Sequence, residues 1–169
     1  MSRAIAFLDV DYRGDHAFAA CVLADDWDAP AARRELVVRV DGVAPYEPGS
    51  FYKRELPCLL AVLAETREPI ACAVVDGYVR LDSDGRPGLG ARLREALGGV
   101  TPVVGVAKKP FGDEAFAERV LRGESATPLW VTAEGMADSE AAAHVREMHG
   151  RYRVPTLLKR ADRLCRDAR

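Results

Sequence analysis

The run "IACAVVDG", residues 70–77, decides the fold. It is apolar from Ile70 to Val75 without helical period, so it reads as a strand buried on both faces, closed by Asp76 and a turn glycine. Upstream, Leu56, Leu59, Leu60 and Leu63 recur at helical spacing, and before them lies a second buried run, "AIAFLDV" at 4–10. Two strands joined by a helical crossover run parallel, since a tight turn can only reverse the chain. The parallel step follows an antiparallel meander: 4–10, then "HAFAACVLA" at 16–24 after the turn "DYRGD", then the alternating "ELVVRV" at 35–40. The sheet is therefore expected to be mixed.

The remaining elements extend it. Pro57 fits a helix beginning near residue 53, because first-turn N–H groups have no partner to lose, and this places Glu55 at the helix start. "LGARLREAL" (89–97) reads as a helix stopped by Gly98-Gly99, and "TPVVGVA" (101–107) as a buried strand ending at Lys108-Lys109. "DEAFAERVL" (113–121) is a short amphipathic piece, "PLWVTA" (128–133) a late strand. Asp138 or Ser139 is the expected cap of a helix running to about His149, and "LLKRADRLCRDA" forms a basic amphipathic helix. The expected architecture is a single α/β domain spanning residues 1–169. It has an antiparallel 1-2-3 meander plus parallel strands, with helices on both faces. This order fits the ribonuclease H-like arrangement.

Composition narrows the classes. At 169 residues, 49% hydrophobic and 30% charged, the chain is long enough for a full core and carries no low-complexity tract. A net charge of −2 gives no global attraction to nucleic acid, but residues 151–169 hold Arg151, Arg153, Lys159, Arg160, Arg163, Arg166 and Arg169 against Asp162 and Asp167. Such a tail makes phosphate contacts or is a solvated helix face. Neutralising Arg160 and Arg163 is expected to flatten the salt dependence of binding. Cys21, Cys58, Cys72 and Cys165 are far apart with no CxxC pair, which reads as buried thiols in a reducing compartment and argues against zinc. The apolar run at the N-terminus is strand-length and ends in Asp, so no secretory leader is expected, and no stretch approaches the roughly 20 apolar residues of a membrane span. A cytoplasmic protein follows, with no membrane and no obligate protein partner.

The strand ends carry the chemistry. Asp9 on the first strand and Asp76 at the end of its parallel neighbour fall within a few ångströms, since adjacent strands lie about 4.8 Å apart. The start of the crossover helix hangs Glu55 over the same rim. Three such carboxylates repel unless a divalent cation neutralises them, and all-oxygen ligation selects Mg²⁺ or Mn²⁺. A site of that kind suits phosphodiester cleavage, with Lys108 neutralising a phosphate oxygen.

The sequence resembles the endonuclease V family, deoxyinosine-specific nucleases with a ribonuclease H-like fold, in ordered blocks over nearly the whole chain. "LDV" resembles the family's metal-binding "DV" strand, "PYEPGSFYKRELPCLL" its "PYIPGFLSFRE-P-LL" element, and "VVDG" its "VDGHG". "TPVVGVAKK" resembles "PTIGVAKK", and "RYRVPTLLKRAD" the closing "YR-PEPTR-AD". The resemblance implies that Asp9, Glu55 and Asp76 hold the catalytic Mg²⁺ (or Mn²⁺) and that Lys108 assists at the scissile phosphate. It makes Tyr46, in the turn with Pro48, the wedge beside a flipped-out base, a role suited to an aromatic ring in a rigid turn. Gly49 and Gly105 match glycines that let the backbone approach the purine edge. The implied activity is a metal-dependent endonuclease acting near deaminated bases in DNA, with RNA as the alternative strand.

The chain also departs from the family. Val79 stands where a base-pocket glycine is expected, and its branched side chain is expected to narrow that approach. Asp82 and Arg92 replace histidines, and "TAEGMADSE" offers Glu134 where the family has "GH". Asp82 and Glu134 are candidates to stand in as metal ligand or water-orienting base. The sequence starts at the first strand, without the family's N-terminal helix. Two further readings stay open: the same metal site acting on RNA or a small phosphate substrate, and a non-catalytic nucleic-acid-binding homologue.

Overall fold

The computed structural model describes residues 3–169, apart from the side chain of Glu114. Seven strands form one sheet in the order β3-β2-β1-β4-β5-β7-β6. β1 (Ala4–Arg13), β2 (His16–Ala24) and β3 (Arg34–Asp41) are the antiparallel meander. β4 (Ile70–Asp76) lies parallel to β1, and β5 (Val103–Ala107) parallel to β4. β7 (Leu129–Glu134) then returns antiparallel to β5 and pairs with β6 (Glu118–Val120). The mixed sheet is as the crossover logic requires.

Alternation sorts the side chains into two layers. Ile5 and Phe7 of β1, with Cys72 and Val74 of β4, face α3 (Asp138–Glu147) and α4 (Thr156–Asp167). Ala4, Ala6 and Leu8 face α1 (Phe51–Ala64) and α2 (Leu89–Ala96) on the other side. Helices thus cover both faces. Under α1 the sheet presents Ala6, Ala17, Ala19 and Cys21, and such small side chains let the helix lie close. Each leucine buried there, such as Leu59 at 1% exposure, contributes roughly 2 kcal/mol.

Four local expectations need correction. α1 begins at Phe51, not near residue 53, so Pro57 lies inside it and removes a helical N–H bond rather than occupying the first turn. Phe51 and Tyr52 escape the apolar period because they face the rim, Phe51 being exposed. The 113–121 piece divides in two: a single 3₁₀ turn over Glu114–Phe116 leads into β6, whose Val120 is buried against β7 and the core. α3 has Ala137 as its cap residue and ends at Glu147. Asp138 is not the cap, because its carboxylate turns to the Arg80 guanidinium and accepts the Ala133 N–H at 2.9 Å.

Candidate active site

Asp9 and Asp76 are brought together by register. Leu8 of β1 pairs with Val75 of β4, so the next residues on each strand are the two aspartates, on the side where Phe7 and Val74 meet α4. A small cavity of about 10 Å³ lies between them, lined by Asp9, Asp76, Lys108, Val154, Pro155 and Leu158. That is room for about one water-sized group. Lys108, just past the end of β5, donates from Nζ to Asp76 Oδ2 at 3.1 Å.

Glu55 comes from the opposite layer. It sits in the second turn of α1, 4% exposed, and its Oε2 is buried without a hydrogen-bond partner. Burial, then the charges of Asp9 and Asp76, hold its carboxyl well above the usual range, with only Arg54 opposing. Burial, then Asp76, also pushes Asp9 up to about 7, although the Val10 N–H (2.9 Å) and Lys108 pull the other way. Lys108 is lowered by burial but raised on balance by the Asp76 carboxylate. Asp162 on α4 adds a further negative charge felt by both Asp9 and Lys108. In the sequence Asp162 counts only as one of two acids in a basic tail, although it lies in the "KRAD" block.

Among the described residues no three His, Cys, Asp or Glu side chains stand in finished ligand geometry. The reason is electrostatic: Asp76 is turned to Lys108 and Asp9 to a backbone N–H, each toward the positive partner at hand. The donor set is nonetheless the one a hard divalent cation takes, and the orphaned Glu55 oxygen is a buried acceptor that needs such a partner.

The second feature is a cleft of about 360 Å³ whose walls include Tyr46, Phe51, Tyr52, Tyr78 and Phe111, with Arg86 at its edge. Residues 47–50 form the turn at its mouth. The Ser50 N–H donates to the Glu47 carbonyl at 3.0 Å, Pro48 and Gly49 (φ 78°) take the central positions, and Lys53 pairs with Glu47 at 3.1 Å. Tyr46 is 62% exposed there. Gly49 has open space in front of its Cα, so a ligand can approach. Tyr78 directly follows the Asp76-Gly77 pair, and its hydroxyl donates to the Lys109 carbonyl at 2.7 Å.

Three expectations about this region change. Val79 does not narrow the cleft: it is 1% exposed and packs into the α2 layer, where a Cβ on Gly90 would meet its Cγ2 at 2.6 Å. Gly105 does not face a ligand, because a Cβ there would lie 2.5 Å from the Gly77 carbonyl. It admits the 77–79 backbone, whose Val79 N–H donates to Thr132 Oγ1 at 2.8 Å. Asp82 accepts the Arg86 N–H of its own loop at 3.0 Å, and Glu134 pairs with Arg94 at 3.3 Å. Glu134 stands opposite Val103, at the end of β5 remote from Asp76, so it is no substitute ligand. Arg92 lies over the Tyr52 ring at 4.6 Å, behind the cleft wall.

Comparison with known proteins agrees with this architecture. The family described as Endonuclease V matches residues 1–137. Endonuclease V of Streptomyces avermitilis is 32% identical over 95% of this chain and 78% of its own length, and that of Thermococcus kodakarensis 29% identical over 97% and 78%. The crystal structure of the S. avermitilis protein superposes with a TM-score of 0.78 at 26% identity, covering 98% of this chain and 81% of that one. A Ciona intestinalis endonuclease V, solved with DNA containing an inosine followed by a ribo-adenosine, shares the fold at a TM-score of 0.82 and 18% identity, over 98% and 84%. With a family match over residues 1–137, a relative 32% identical over most of both chains, and a shared ribonuclease H-like sheet, this chain belongs to the endonuclease V family of nucleases.

Proposed function

We propose that the protein is a divalent-cation-dependent endonuclease that hydrolyses a phosphodiester bond beside a deaminated base, inosine first among them. The observation that carries this reading is the carboxylate set: Asp9, buried within β1, beside Asp76 at the end of parallel β4, with the orphaned Glu55 oxygen behind them. Asp9, Glu55 and Asp76 would hold Mg²⁺ or Mn²⁺. When bound, the ion supplies neutralising charge and a water made acidic enough to attack phosphorus. Lys108 holds its ammonium beside Asp76 and is placed to neutralise a phosphate oxygen. The aromatic cleft takes the extruded base between ring faces, while Tyr46, exposed on the pinned Pro48-Gly49 turn, fills the gap left in the stack. Relatives named for endonuclease V and the inosine-containing Ciona complex support that substrate.

The test is cleavage of labelled strands with inosine, uracil, a mismatch or no lesion, in Mg²⁺ or Mn²⁺, alongside Asp76→Asn. The expected result is a cut beside inosine that needs the cation and falls by at least about 10³-fold in the variant, as for loss of a principal transition-state contact. Cleavage that persists in Asp76→Asn, or no preference for inosine, contradicts the reading.

A further inference from the structure

Tyr152 is 59% exposed, yet the backbone beneath it is fastened from inside. The side chain of Arg122, 6% exposed, donates to the carbonyls of Met148, Gly150, Tyr152 and Arg153. Gly123 lets the same segment pack backbone to backbone, since a Cβ there would stand 2.4 Å from the Arg151 carbonyl. Arg153 continues inward, donating to the Lys108 carbonyl at 2.5 Å and to those of Thr127 and Pro128. The next residues, Val154 and Pro155, line the cavity that holds Asp9, Asp76 and Lys108. One short segment therefore has the acid cavity on its inner side and an exposed ring on its outer side.

Two cations flank that ring. The Arg151 guanidinium lies 5.1 Å from its centroid and the Lys159 ammonium 5.7 Å, and Arg151 also donates to the Tyr152 hydroxyl at 2.9 Å. A recess of about 500 Å³ opens beside them, edged by Glu124 and Ser125. Two other basic residues of this region are committed to acids, and one of them is Arg160, which the sequence alone offers as a phosphate contact. Arg160 binds both oxygens of Glu35 at 2.6 and 2.8 Å, and Arg166 pairs with Asp162 at 2.9 Å.

We propose that Arg151, Tyr152 and Lys159 form a docking surface for the nucleic-acid strand as it leaves the acid cavity. Tyr152 stacks a base of that strand, and the two cations meet its phosphates. The proposal rests on the endonuclease reading above and adds to it where the strand runs. An exposed aromatic ring with two cations beside it matches how single strands are held, by sequence-tolerant stacking beside backbone charge pairing. Because the segment is fastened through Arg122 and Arg153, little ordering cost remains on binding.

The protein is assayed for cleavage in Mg²⁺, and for binding of inosine-containing strands in EDTA, over a range of salt. Tyr152→Ala is expected to raise Kd and KM roughly tenfold, the loss of one stacked base, with kcat within about twofold of wild type. Tyr152→Phe, which keeps the ring, stays near wild type. Arg151→Ala and Lys159→Ala each lower the salt slope by about one, whereas Arg160→Ala leaves it unchanged. Wild-type Kd and slope in Tyr152→Ala and in Arg151→Ala/Lys159→Ala, with cleavage intact, overturn this surface and leave the endonuclease reading standing. Failure of the wild-type protein to bind or cut any strand overturns both. Displacement of the strand by polyglutamate as readily as by unlabelled strand overturns nucleic acid as the occupant.

Discussion

Asp9 and Glu55 are carboxylates that this fold keeps protonated more readily than water does. Asp9 stands at about 7 against an ordinary value near 4, raised by burial and by Asp76. The folded state therefore binds that proton more tightly than the unfolded chain. Its contribution to stability is complete below about pH 4 and is lost as pH rises through about 7, a few kcal/mol in all. Glu55, raised by burial and by both aspartates, acts in the same direction. In EDTA, the melting temperature is expected to fall between pH 5 and pH 8, and Asp9→Asn to flatten that fall and raise Tm at pH 8. Mn²⁺ stabilises the wild-type protein at pH 8 and much less at pH 5, where protons occupy the same oxygens. A wild-type Tm no lower at pH 8 than at pH 5, matched by Asp9→Asn, contradicts this.

At the scale of elements, Val79 and Gly90 are one packing unit. The branched side chain after β4 is housed by a glycine in α2, so its presence costs the cleft nothing. Val79→Ala is expected to cost about 2 kcal/mol by losing buried methyl groups, without changing KM for an inosine strand. Gly90→Ala destabilises the wild-type protein through the clash, and less in the Val79→Ala background, where Cγ2 is gone. Denaturant melts of the four proteins should give a coupling of about 1 kcal/mol. Additive effects, or a changed KM in Val79→Ala, would put Val79 back in the cleft. The same pair shows where sequence reading stops. β2 and β4 were legible to the residue because unbroken apolar runs bounded by turn residues have one reading, and Asp9 and Asp76 followed from strand register. β6 was not, because three residues are too few to show a period, and Val120 gains its burial from β7 and from α3 packed over it. Nor was the aromatic cleft, whose Tyr46, Tyr52, Tyr78 and Phe111 come from separate loops and helices and share no period. Val79 misled because a local comparison showed the added side chain but not the glycine that receives it.

The whole molecule places one charged rim between two apolar layers. α1 supplies Glu55 from one face of the sheet, while α4 closes over Asp9 and Asp76 from the other, and β5 sets Lys108 beside them. The four cysteines are buried as free thiols, and among the described residues no helix is long and apolar enough to cross a membrane. With a net charge of −2, attraction for a polyanion has to be local, which fits cations gathered beside the acid cavity rather than spread over the surface. On the proposed reading, both layers deliver their acids to a single divalent ion. A crystal soaked in Mn²⁺ and measured at the manganese absorption edge tests it most directly. One strong anomalous peak bounded by Asp9, Glu55 and Asp76 is expected, absent from Asp9→Asn crystals. No peak at that rim, or one that persists unchanged in the variant, would contradict it.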